Sequence, residues 1–322
     1  MASRLETLVT VFGGSGFLGR HVVRALAKRE YRIRVAVRRP ELAGHLQPLG
    51  RVGQVHPVQA NVRHPASVQA AMRDSDVVIN LVGILSPTGE QTFEAVHARA
   101  SATVAKAAAE IGARLVHVSA IGADEHSASV YARTKAAGEQ AVLAAVPQAV
   151  IIRPAVTFGP EDNLTNRFAA LATVSPVLPL IGGGHTRMQP VYVGDVATAV
   201  ADAVDGKTRA GATYELGGPE VMTMREMMQA ILEFTDRDRM LVTLPFALAK
   251  FQAFFLQFAP GALKLTADQV ELLKTDKVVS DAATAAGLTL PGLGIAPEPM
   301  SAIAPQYLWR FRPMGQFQRK SV

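Results

Sequence analysis

The sequence LVTVFGGSGFLGRHVVRAL, residues 8–26, places an apolar strand-length run, a glycine-rich turn and an apolar pattern at helical spacing in direct succession. Gly13, Gly16 and Gly19 stand three residues apart. Because glycine has no Cβ, such a turn lets backbone N–H groups at a helix N-terminus come close to a pyrophosphate. The stretch predicts a dinucleotide-binding turn, although its spacing is GxxGxxG and not the usual GxGxxG. The alternative is a simple turn in which Gly19 eases the packing of helix against sheet.

Strand-like and helical patterns alternate from this stretch to residue 154. Helical patterns cover about 17–29, 93–112 and 130–146. Strands that alternate with helices are joined by right-handed crossovers, which produce a parallel sheet covered on both faces. The pattern therefore predicts an α/β fold with a doubly wound parallel sheet of the Rossmann type. The strand-like runs are VTVFG (9–13), RIRVAVR (32–38), DVVINLVG (76–83), RLVHVSAIG (114–122) and QAVIIRP (148–154).

The pattern becomes irregular after Pro154, with another short strand-like run, ATYELGG, at 212–218. We predict a dinucleotide-binding domain over 1–155 and a smaller C-terminal α/β lobe for a substrate or partner over 156–322. The chain is expected to cross back to the sheet near 190–218.

Length and composition exclude several classes of protein. The chain has 322 residues, 49% of them hydrophobic, which is enough for a substantial core. It has no cysteine, so disulfides, thiolate metal sites and cysteine nucleophiles are excluded, and we predict no metal site. The N-terminus MASRLETLVTVF leaves no room for a signal peptide, so an intracellular protein is expected. The net charge is +6, but the basic residues are spread out and only 6% of residues are aromatic, so nucleic-acid binding is not expected.

Two arginines lie at the end of the second strand-like run, where a domain that prefers NAD has an acidic residue for the ribose hydroxyls. These arginines are Arg38 and Arg39. A carboxylate would repel a 2′-phosphate, whereas a guanidinium pairs with it through two hydrogen bonds. The pair favours NADP(H) over NAD(H); the alternative is that one of the two is an ordinary surface arginine.

A serine, a tyrosine and a lysine form a candidate catalytic set. Tyr131 and Lys135 are four residues apart in YARTK, so they share one face of the predicted helix. A neighbouring ammonium group favours the phenolate and so lowers the pKa of the phenol. Ser119, at the carboxyl end of a strand, would hydrogen-bond a substrate oxygen while Tyr131 exchanges its proton. The set indicates hydride transfer to or from a carbonyl; the alternative is a buried ring with a surface lysine.

Six segments carry a resemblance to a known family: GGSGFLG, HVSAIGA, YARTKAAGE, IIRPAVTFGPED, QPVYVGDVA and YELGGPE. In this order they resemble the extended short-chain dehydrogenase/reductase superfamily over residues 5–225. Within it, SVYARTKAAGEQAV, IIRPAVTFGPEDN and MQPVYVGDVA look like the nicotinamide-nucleotide-binding accessory subunits of respiratory complex I and their bacterial homologues. That resemblance implies a tightly held NADPH, which in mitochondria is a structural ligand and is not turned over.

The resemblance also assigns the nucleotide contacts. It implies that Arg38 and Arg39 lie near the 2′-phosphate and that the amide of Asn61 lies near adenine, where many relatives have an aspartate. It places Ser119, Tyr131, Lys135 and Pro154 on the nicotinamide side, and Leu81, Val82 and Gly83 on the adenosine side. The phosphates would be held by Gly13, Gly16, Phe17, Leu18 and Gly19.

His97 departs from the pattern, because sugar-nucleotide epimerases often have an asparagine there. This residue argues against their substrate class for the present chain. We expect His97 to be a partly buried helix histidine.

An apolar segment, LPFALAKFQAFFLQFAPGALKL (244–265), indicates a membrane or partner contact. Its predicted helix, 246–259, is too short to span a bilayer, which needs roughly 20 apolar residues. One stripe of the helix suits a lipid surface or a hydrophobic partner; the alternative is packing on the core of its own domain. The stripe contains Ala247, Phe251, Phe254 and Phe258, with Phe255 beside it.

The complex I resemblance implies where this lobe would lie. The lobe would face the membrane near the quinone-binding region, and the basic C-terminal arm YLWRFRPMGQFQRK would follow a partner or lipid headgroups. We therefore expect a protein peripheral to the inner membrane, on its cytoplasmic side.

Two functions remain open on the sequence. The first is an accessory subunit that holds NADP(H) structurally and contacts respiratory complex I subunits. The second is an NADP(H)-dependent oxidoreductase or isomerase that acts on a small lipophilic carbonyl or a quinone precursor. The residues permit turnover and do not demand it.

Overall fold

The computed structural model describes residues 4–257 and 264–317 of the chain. Its strands, numbered in chain order, are β1 (Leu8–Phe12), β2 (Arg32–Val37), β3 (Val55–Gln59), β4 (Val77–Asn80), β5 (Arg114–Val118), β6 (Val150–Pro154), β7 (Thr157–Phe158), β8 (Val177–Ile181), β9 (Arg187–Met188), β10 (Val191–Tyr192), β11 (Thr213–Leu216), β12 (Met222–Thr223) and β13 (Met240–Leu244).

The α-helices are α1 (Phe17–Lys28), α2 (Pro65–Met72), α3 (Ala100–Glu110), α4 (Val130–Ala145), α5 (Thr165–Val174), α6 (Val193–Val204), α7 (Met224–Phe234), α8 (Phe246–Leu256), α9 (Ala267–Leu272), α10 (Asp281–Ala285), α11 (Met300–Ile303) and α12 (Pro305–Leu308). A π-helical segment, Glu94–Arg99, leads directly into α3. Short 3₁₀ turns are found at Pro40–Leu42, Gly44–Leu49, Gly182–Gly184, Pro291–Leu293, Trp309–Phe311 and Gly315–Phe317.

The main sheet has seven parallel strands in the order β11-β6-β5-β4-β1-β2-β3. In the centre, Val11 lies between Val35 of β2 and Ile79 of β4. Every residue of β1 and of β4 is buried, as expected for strands covered on both faces. The predicted doubly wound parallel sheet is confirmed. Because the strand order reverses between β1 and β4, the segments that follow these two strands meet at the switch point where such sheets bind ligands.

The chain divides into two compact units. The first contains the residues up to Pro154, then Gly194–Leu216 and Ser280–Ile295. The second contains Ala155–Val193, Gly217–Val279 and the residues from Ala296 onward. Ser280–Ile295 adds to the first unit at edge strand β11, where the Glu215 N–H donates to the Leu288 carbonyl over 2.9 Å. No sequence pattern indicated this second return.

The core of the first unit lies between the sheet and helices such as α2 and α3. Phe12, Val78, Val104, Leu115 and Ile151 belong to one buried apolar cluster there. Helix α1 turns Val22, Val23 and Leu26 inward and keeps Arg24 and Lys28 exposed, so one face of the helix packs on the sheet.

The core of the second unit lies between α5, α7 and β8. It contains Phe158, Leu178, Leu180, Met227 and Ile231. Strand β13 pairs in parallel with β8, and helix α8, which is rich in phenylalanine, follows β13 directly in the chain.

The helix predicted over 93–112 is not uniform, because its first part is π-helical. A Cβ on Gly138 of α4 would overlap the His97 carbonyl oxygen. The wider π turn therefore brings that carbonyl against α4 at a residue with no side chain. This crossing places His97 beside the residues of α4 that the sequence selected.

Candidate functional site

The glycine turn after β1 packs against the segment after β4. Gly13 has a φ of +80°, and an added Cβ would lie 3.2 Å from both the Leu81 carbonyl carbon and the Val82 nitrogen. Residues with a side chain rarely adopt such a φ, and a Cβ would fit here only if the neighbouring backbone moved by a few tenths of an ångström. Glycine is therefore strongly favoured where the two segments meet at the switch point.

The first turn of α1 presents free backbone donors at this point. Gly16 precedes the helix and supplies no side-chain cap, and the first bond of the helix runs from the Arg20 N–H to the Gly16 carbonyl over 3.1 Å. The N–H groups of Phe17, Leu18 and Gly19 thus have no partner within the helix. A Cβ on Gly19 would overlap the Gly13 carbonyl oxygen, so the turn can close only with glycine there. The result is a cradle of N–H groups that suits a diphosphate.

Arg38, Arg39 and Asn61 follow β2 and β3, so they lie at the same edge of the sheet as the glycine turn. Both arginines are exposed. Asn61 Oδ1 accepts the Arg63 N–H over 3.1 Å, and the Asn61 N–H donates to Ser67 Oγ over 3.0 Å. The side-chain oxygen of Asn61 is therefore used within its own turn, which leaves its amide NH₂ as the group available to a ligand.

Ser119 lies directly after β5 and is buried, with 4% of its surface exposed. Its N–H donates to the Ile152 carbonyl over 2.7 Å. Within the described residues, Ser119 Oγ has no hydrogen-bond partner. A buried hydroxyl usually has a partner, so an unsatisfied one at a strand end suits a polar ligand atom.

Tyr131 and Lys135 lie one turn apart on α4, which Ser129 caps by accepting the Ala132 N–H over 3.3 Å. Lys135 Nζ donates to the Val118 carbonyl over 3.3 Å, next to Ser119, and lies 6.0 Å from the centre of the Tyr131 ring. The structure therefore brings the three predicted catalytic residues to one place.

Burial lowers the pKa of Lys135 to about 8, and the carboxylate of Glu139 opposes this shift. The lysine is therefore close to its own titration at neutral pH. The charged form is still the larger one at pH 7, so its ammonium group is available beside the phenol of Tyr131.

The adenosine-side and nicotinamide-side residues also meet. A Cβ on Gly83 would lie 3.4 Å from Lys135 Nζ, so the segment Leu81 to Gly83 runs past the lysine. Pro154, at the end of β6, accepts the Ile121 N–H over 3.0 Å and so fixes the loop after Ser119. Arg38, Arg39 and Asn61 stand apart from this group: both arginines are exposed, and Asn61 bonds within its own turn.

His97 is a site residue that the sequence reasoning undervalued. It is buried, and its ring lies edge-on to Tyr131 with the centres 5.1 Å apart. Thr134 donates its hydroxyl to the Val130 carbonyl over 2.8 Å, so its oxygen accepts from His97 Nδ1 over 3.2 Å. His97 Nε2 accepts the Ile84 N–H over 3.1 Å. The ring is therefore neutral, with its proton on Nδ1, and joins the segment after β4 to α4.

A second buried histidine supports the same segment. Asn80, the last residue of β4, donates from Nδ2 to His117 Nδ1 over 3.2 Å and accepts the Val82 N–H at Oδ1 over 3.2 Å. Burial lowers the pKa of both His97 and His117 to about 3, and the charge of Lys135 adds to the effect. Both rings are thus neutral at physiological pH. Asn80 and His117 gave no sequence signal, because each looked like one residue of a buried strand.

Helix α8 has two faces of opposite character. Ala249 and Ala253 are buried against Val270 and neighbouring apolar side chains of the second unit. Lys250 forms an ion pair with Glu271 of α9 over 2.5 Å. Three side chains on the other face, which we call the phenylalanine face, are exposed: Phe251 (64%), Phe254 (64%) and Phe255 (59%). Phe258, the last phenylalanine of the predicted stripe, lies outside the described residues.

The C-terminal arm packs on its own unit as far as Arg312. Arg310 donates to Asn166 Oδ1 over 2.5 Å, and Arg312 donates to the Phe234 carbonyl over 2.9 Å. These two arginines are therefore engaged within the unit, while Trp309, Met314 and Phe317 remain exposed. Arg319 and Lys320 lie outside the described residues.

None of the helices within 4–257 and 264–317 combines the length and the apolar character that crossing a membrane requires. The same residues contain no group of three or more His, Asp or Glu side chains placed to hold a metal ion.

Several known proteins are similar to this chain. Residues 9–217 match the NAD dependent epimerase/dehydratase family. The chain is 38% identical over 320 residues to NADH dehydrogenase (ubiquinone) 1 alpha subcomplex subunit 9, mitochondrial, of Arabidopsis thaliana, an alignment that covers 96% of this chain and 79% of that protein. It is 37% identical over 197 residues to the ceramide reductase of Caulobacter vibrioides, with 61% of each chain covered.

Among solved structures, the NADPH-dependent quinone oxidoreductase of Escherichia coli, complexed with NADPH, matches with a TM-score of 0.71 at 19% identity. The match covers 94% of this chain and 99% of that one. At this identity the likeness concerns the fold alone.

Proposed function

The chain belongs to the NAD dependent epimerase/dehydratase family, and from this membership we propose that its first unit binds NADP(H) as part of an accessory subunit of respiratory complex I. The observation that carries the nucleotide proposal is the glycine turn, where Gly13 and Gly19 lie close against backbone and the first N–H groups of α1 have no partner within the helix. The long alignment with a subunit of NADH dehydrogenase supports the partner.

The residues present fit the nucleotide at both ends. The cradle at the N-terminus of α1 suits the diphosphate. Ser119 Oγ, buried and without a partner among the described residues, suits a polar atom on the nicotinamide side. We assign the 2′-phosphate to Arg38 and Arg39. Their exposed guanidinium groups can pair with this phosphate, which NADP(H) has and NAD(H) lacks, so they favour NADP(H).

As an accessory subunit, the protein would hold the nucleotide without consuming it. Ser119, Tyr131 and Lys135 would then serve to bind and orient the nicotinamide ribose. The phenylalanine face supports a peripheral position on the inner membrane, which we place on the cytoplasmic side, with the exposed side chains of the C-terminal arm directed at a complex I subunit or at lipid.

A second candidate is a reductase of a lipophilic carbonyl. The lowered pKa of Lys135 and the unsatisfied Ser119 hydroxyl are typical of a site prepared for proton transfer. A bound nicotinamide supplies hydride chemistry. Ser119 would hold the substrate oxygen, Tyr131 would exchange a proton with it, and the Lys135 charge would favour the phenolate. The 37% identity to a ceramide reductase supports this alternative.

One set of measurements tests both proposals. The protein is purified by mild membrane extraction, and its bound nucleotide and its protein partners are identified by mass spectrometry. The accessory role predicts slowly exchanging NADP(H), copurifying complex I subunits, and normal respiration with Tyr131→Phe. The reductase role predicts NADPH consumption with a long-chain ketone or quinone-like carbonyl, lost in Tyr131→Phe. Apo protein that binds neither NADPH nor NADH in calorimetry would contradict both.

A further inference from the structure

A cavity of about 360 Å³ on the second unit lies outside everything assigned so far. Arg225 and Gln229, four residues apart, project from one face of α7, and Arg237, Asp238 and Arg239 come from the turn between α7 and β13. Leu232 and Leu241 supply apolar lining. We call this cavity the arginine pocket.

Two of its guanidinium groups are held in place by neutral groups. Arg237 Nε donates to the Phe311 carbonyl over 2.7 Å, and Arg239 Nε donates to the Ala172 carbonyl over 2.8 Å. Arg239 also donates from Nη1 to the Asp238 carbonyl over 2.7 Å. Both side chains are half-buried, and a guanidinium has five N–H groups, so each arginine retains further donors for a ligand. Because a carbonyl carries no net charge, each arginine keeps its full positive charge at the cavity.

Among the described residues, the positive charges that line the pocket outnumber the negative ones. Across the described residues, Arg225, Arg237 and Arg239 form no ion pair, and Asp238 is the one carboxylate that lines the cavity. Another arginine of the same unit shows the contrast, since Arg187 pairs with Asp276 over 2.8 Å. Three half-buried cations that line one cavity with a single carboxylate leave an excess of positive charge, which an anion bound between them would offset.

We propose that the arginine pocket binds the phosphate group of a phosphate ester. Guanidinium forks match phosphate oxygens through paired hydrogen bonds, and several of them favour phosphate over a single carboxylate. The cavity volume is in the range of small-molecule sites, so it accommodates the organic part of an ester as well. Asp238 and Gln229, both exposed at the cavity, offer acceptors to a hydroxyl or an ammonium group on that part.

The arginine pocket lies near the start of α8, the helix that carries the phenylalanine face. A Cβ on Gly184 would lie 3.2 Å from Arg225 Cβ, and a Cβ on Gly182 would overlap the ring of Phe246, the first residue of α8. One three-residue turn thus connects the pocket with the helix that carries the phenylalanine face. Free phosphate esters and phospholipid headgroups present the same phosphate chemistry. A membrane contact through the phenylalanine face of α8 would bring lipid headgroups near the pocket.

The test uses the full-length protein loaded with NADPH and freed of excess nucleotide, so that glycerol 3-phosphate does not bind in the nucleotide cradle. Titration calorimetry measures binding of glycerol 3-phosphate, and flotation measures binding to phosphatidylcholine vesicles with and without phosphatidic acid. The variants are Arg225→Gln and Arg239→Gln. Arg24→Gln, an exposed residue of α1 in the first unit, is the control with the same change of net charge.

We expect each pocket variant to weaken binding at least tenfold, because each removes charge-assisted hydrogen bonds, while Arg24→Gln binds as wild type. An effect in calorimetry alone identifies a free ester as the ligand. An effect in flotation, with vesicles displaced by glycerol 3-phosphate, identifies a lipid headgroup. Equal loss in Arg24→Gln, no effect of either pocket variant, or no saturable binding in either arm would overturn the proposal.

Folding of the variants is checked by thermal denaturation. Arg225 makes one long contact, 3.4 Å to the Gly183 carbonyl, so Arg225→Gln remains informative if Arg239→Gln is unstable. The proposal concerns the second unit and does not depend on nucleotide binding by the first. The same titrations without NADPH therefore separate failure of this proposal from failure of the proposed function.

Discussion

The Ile84 N–H donates to His97 Nε2 over 3.1 Å, and the other nitrogen of the same ring donates to Thr134. One neutral imidazole thus ties the segment after β4, which meets the glycine turn, to the helix that carries Tyr131 and Lys135. The two sides of the proposed nucleotide site are held together by a residue that need not touch the nucleotide.

Replacement of this histidine is expected to loosen that connection. His97→Phe keeps a ring but leaves the Ile84 N–H without an acceptor, at a cost of about 1–3 kcal/mol in the free energy of unfolding. We expect NADPH affinity to fall about tenfold. His97→Asn, which retains an acceptor, should recover part of the affinity, and His126→Asn, on an exposed histidine, is the control. Calorimetry checks the result, and an unchanged dissociation constant in His97→Phe would contradict the positioning role.

Gly19→Ala is expected to abolish nucleotide binding, because the new Cβ would overlap the Gly13 carbonyl oxygen and open the cradle. Gly44→Ala is the matched control, since a Cβ there meets nothing within 4 Å. Titration with NADPH, followed by the fluorescence of the nicotinamide itself, measures the dissociation constant of both variants. Normal binding by a folded Gly19→Ala protein would show that the diphosphate lies elsewhere.

The double variant Arg38→Gln, Arg39→Gln is expected to lose selectivity between the coenzymes. Removal of charge-assisted bonds to the 2′-phosphate should raise the dissociation constant for NADPH about 10- to 100-fold. NADH, which lacks that phosphate, should bind as it does to wild type. The ratio of the two dissociation constants is the measurement. An equal loss of affinity for both coenzymes would show that these arginines do not bind the 2′-phosphate.

Acid should destabilise the fold through the two buried histidines. The pKa of His97 and of His117 is about 3 when folded, against about 6.5 when unfolded, so below pH 6.5 the unfolded chain binds protons that the folded chain does not. Their stabilising contribution is complete above pH 6.5 and falls as the pH drops toward 3. Between pH 6.5 and 5 each group should cost about 2 kcal/mol. Urea unfolding across this range tests the slope, which His117→Asn should reduce if that variant folds.

The phenylalanine face should control membrane binding. Phe251→Ser, Phe254→Ser and Phe255→Ser in one variant remove exposed apolar surface without touching the buried Ala249 and Ala253. We expect vesicle binding to fall at least tenfold and thermal stability to stay close to wild type. Leu42→Ser with Val52→Ser, on exposed residues of the first unit, is the control. Undiminished flotation of the triple variant would assign this face to a protein partner.

The sequence was sufficient for most of the first unit, because buried parallel strands read as continuous apolar runs. Strand β3 was not predicted, because Val55–Gln59 is partly polar and contains Pro57, which only an edge strand tolerates. The π-helical start of the 93–112 helix was not predicted either, because it accompanies a contact between the His97 carbonyl and Gly138, which are far apart in the chain.

The site divides in the same way. Glycine spacing and the Tyr131–Lys135 interval are local patterns, and the sequence displays them directly. The tie through His97 and the support of Val82 by Asn80 depend on partners from other strands and helices. The family resemblance, which rested on several separate segments, is confirmed by the match over residues 9–217.

The return of Ser280–Ile295 to edge strand β11 has a consequence for biosynthesis. The Ser280 N–H bonds Glu215, and the Leu288 carbonyl takes the Glu215 N–H, so the rim of the sheet is covered by residues that leave the ribosome late. A nascent or truncated chain that stops near residue 217 would expose that rim to other chains, which invites aggregation. Expression of the nucleotide domain as a separate fragment should therefore need the distant segment fused back onto it.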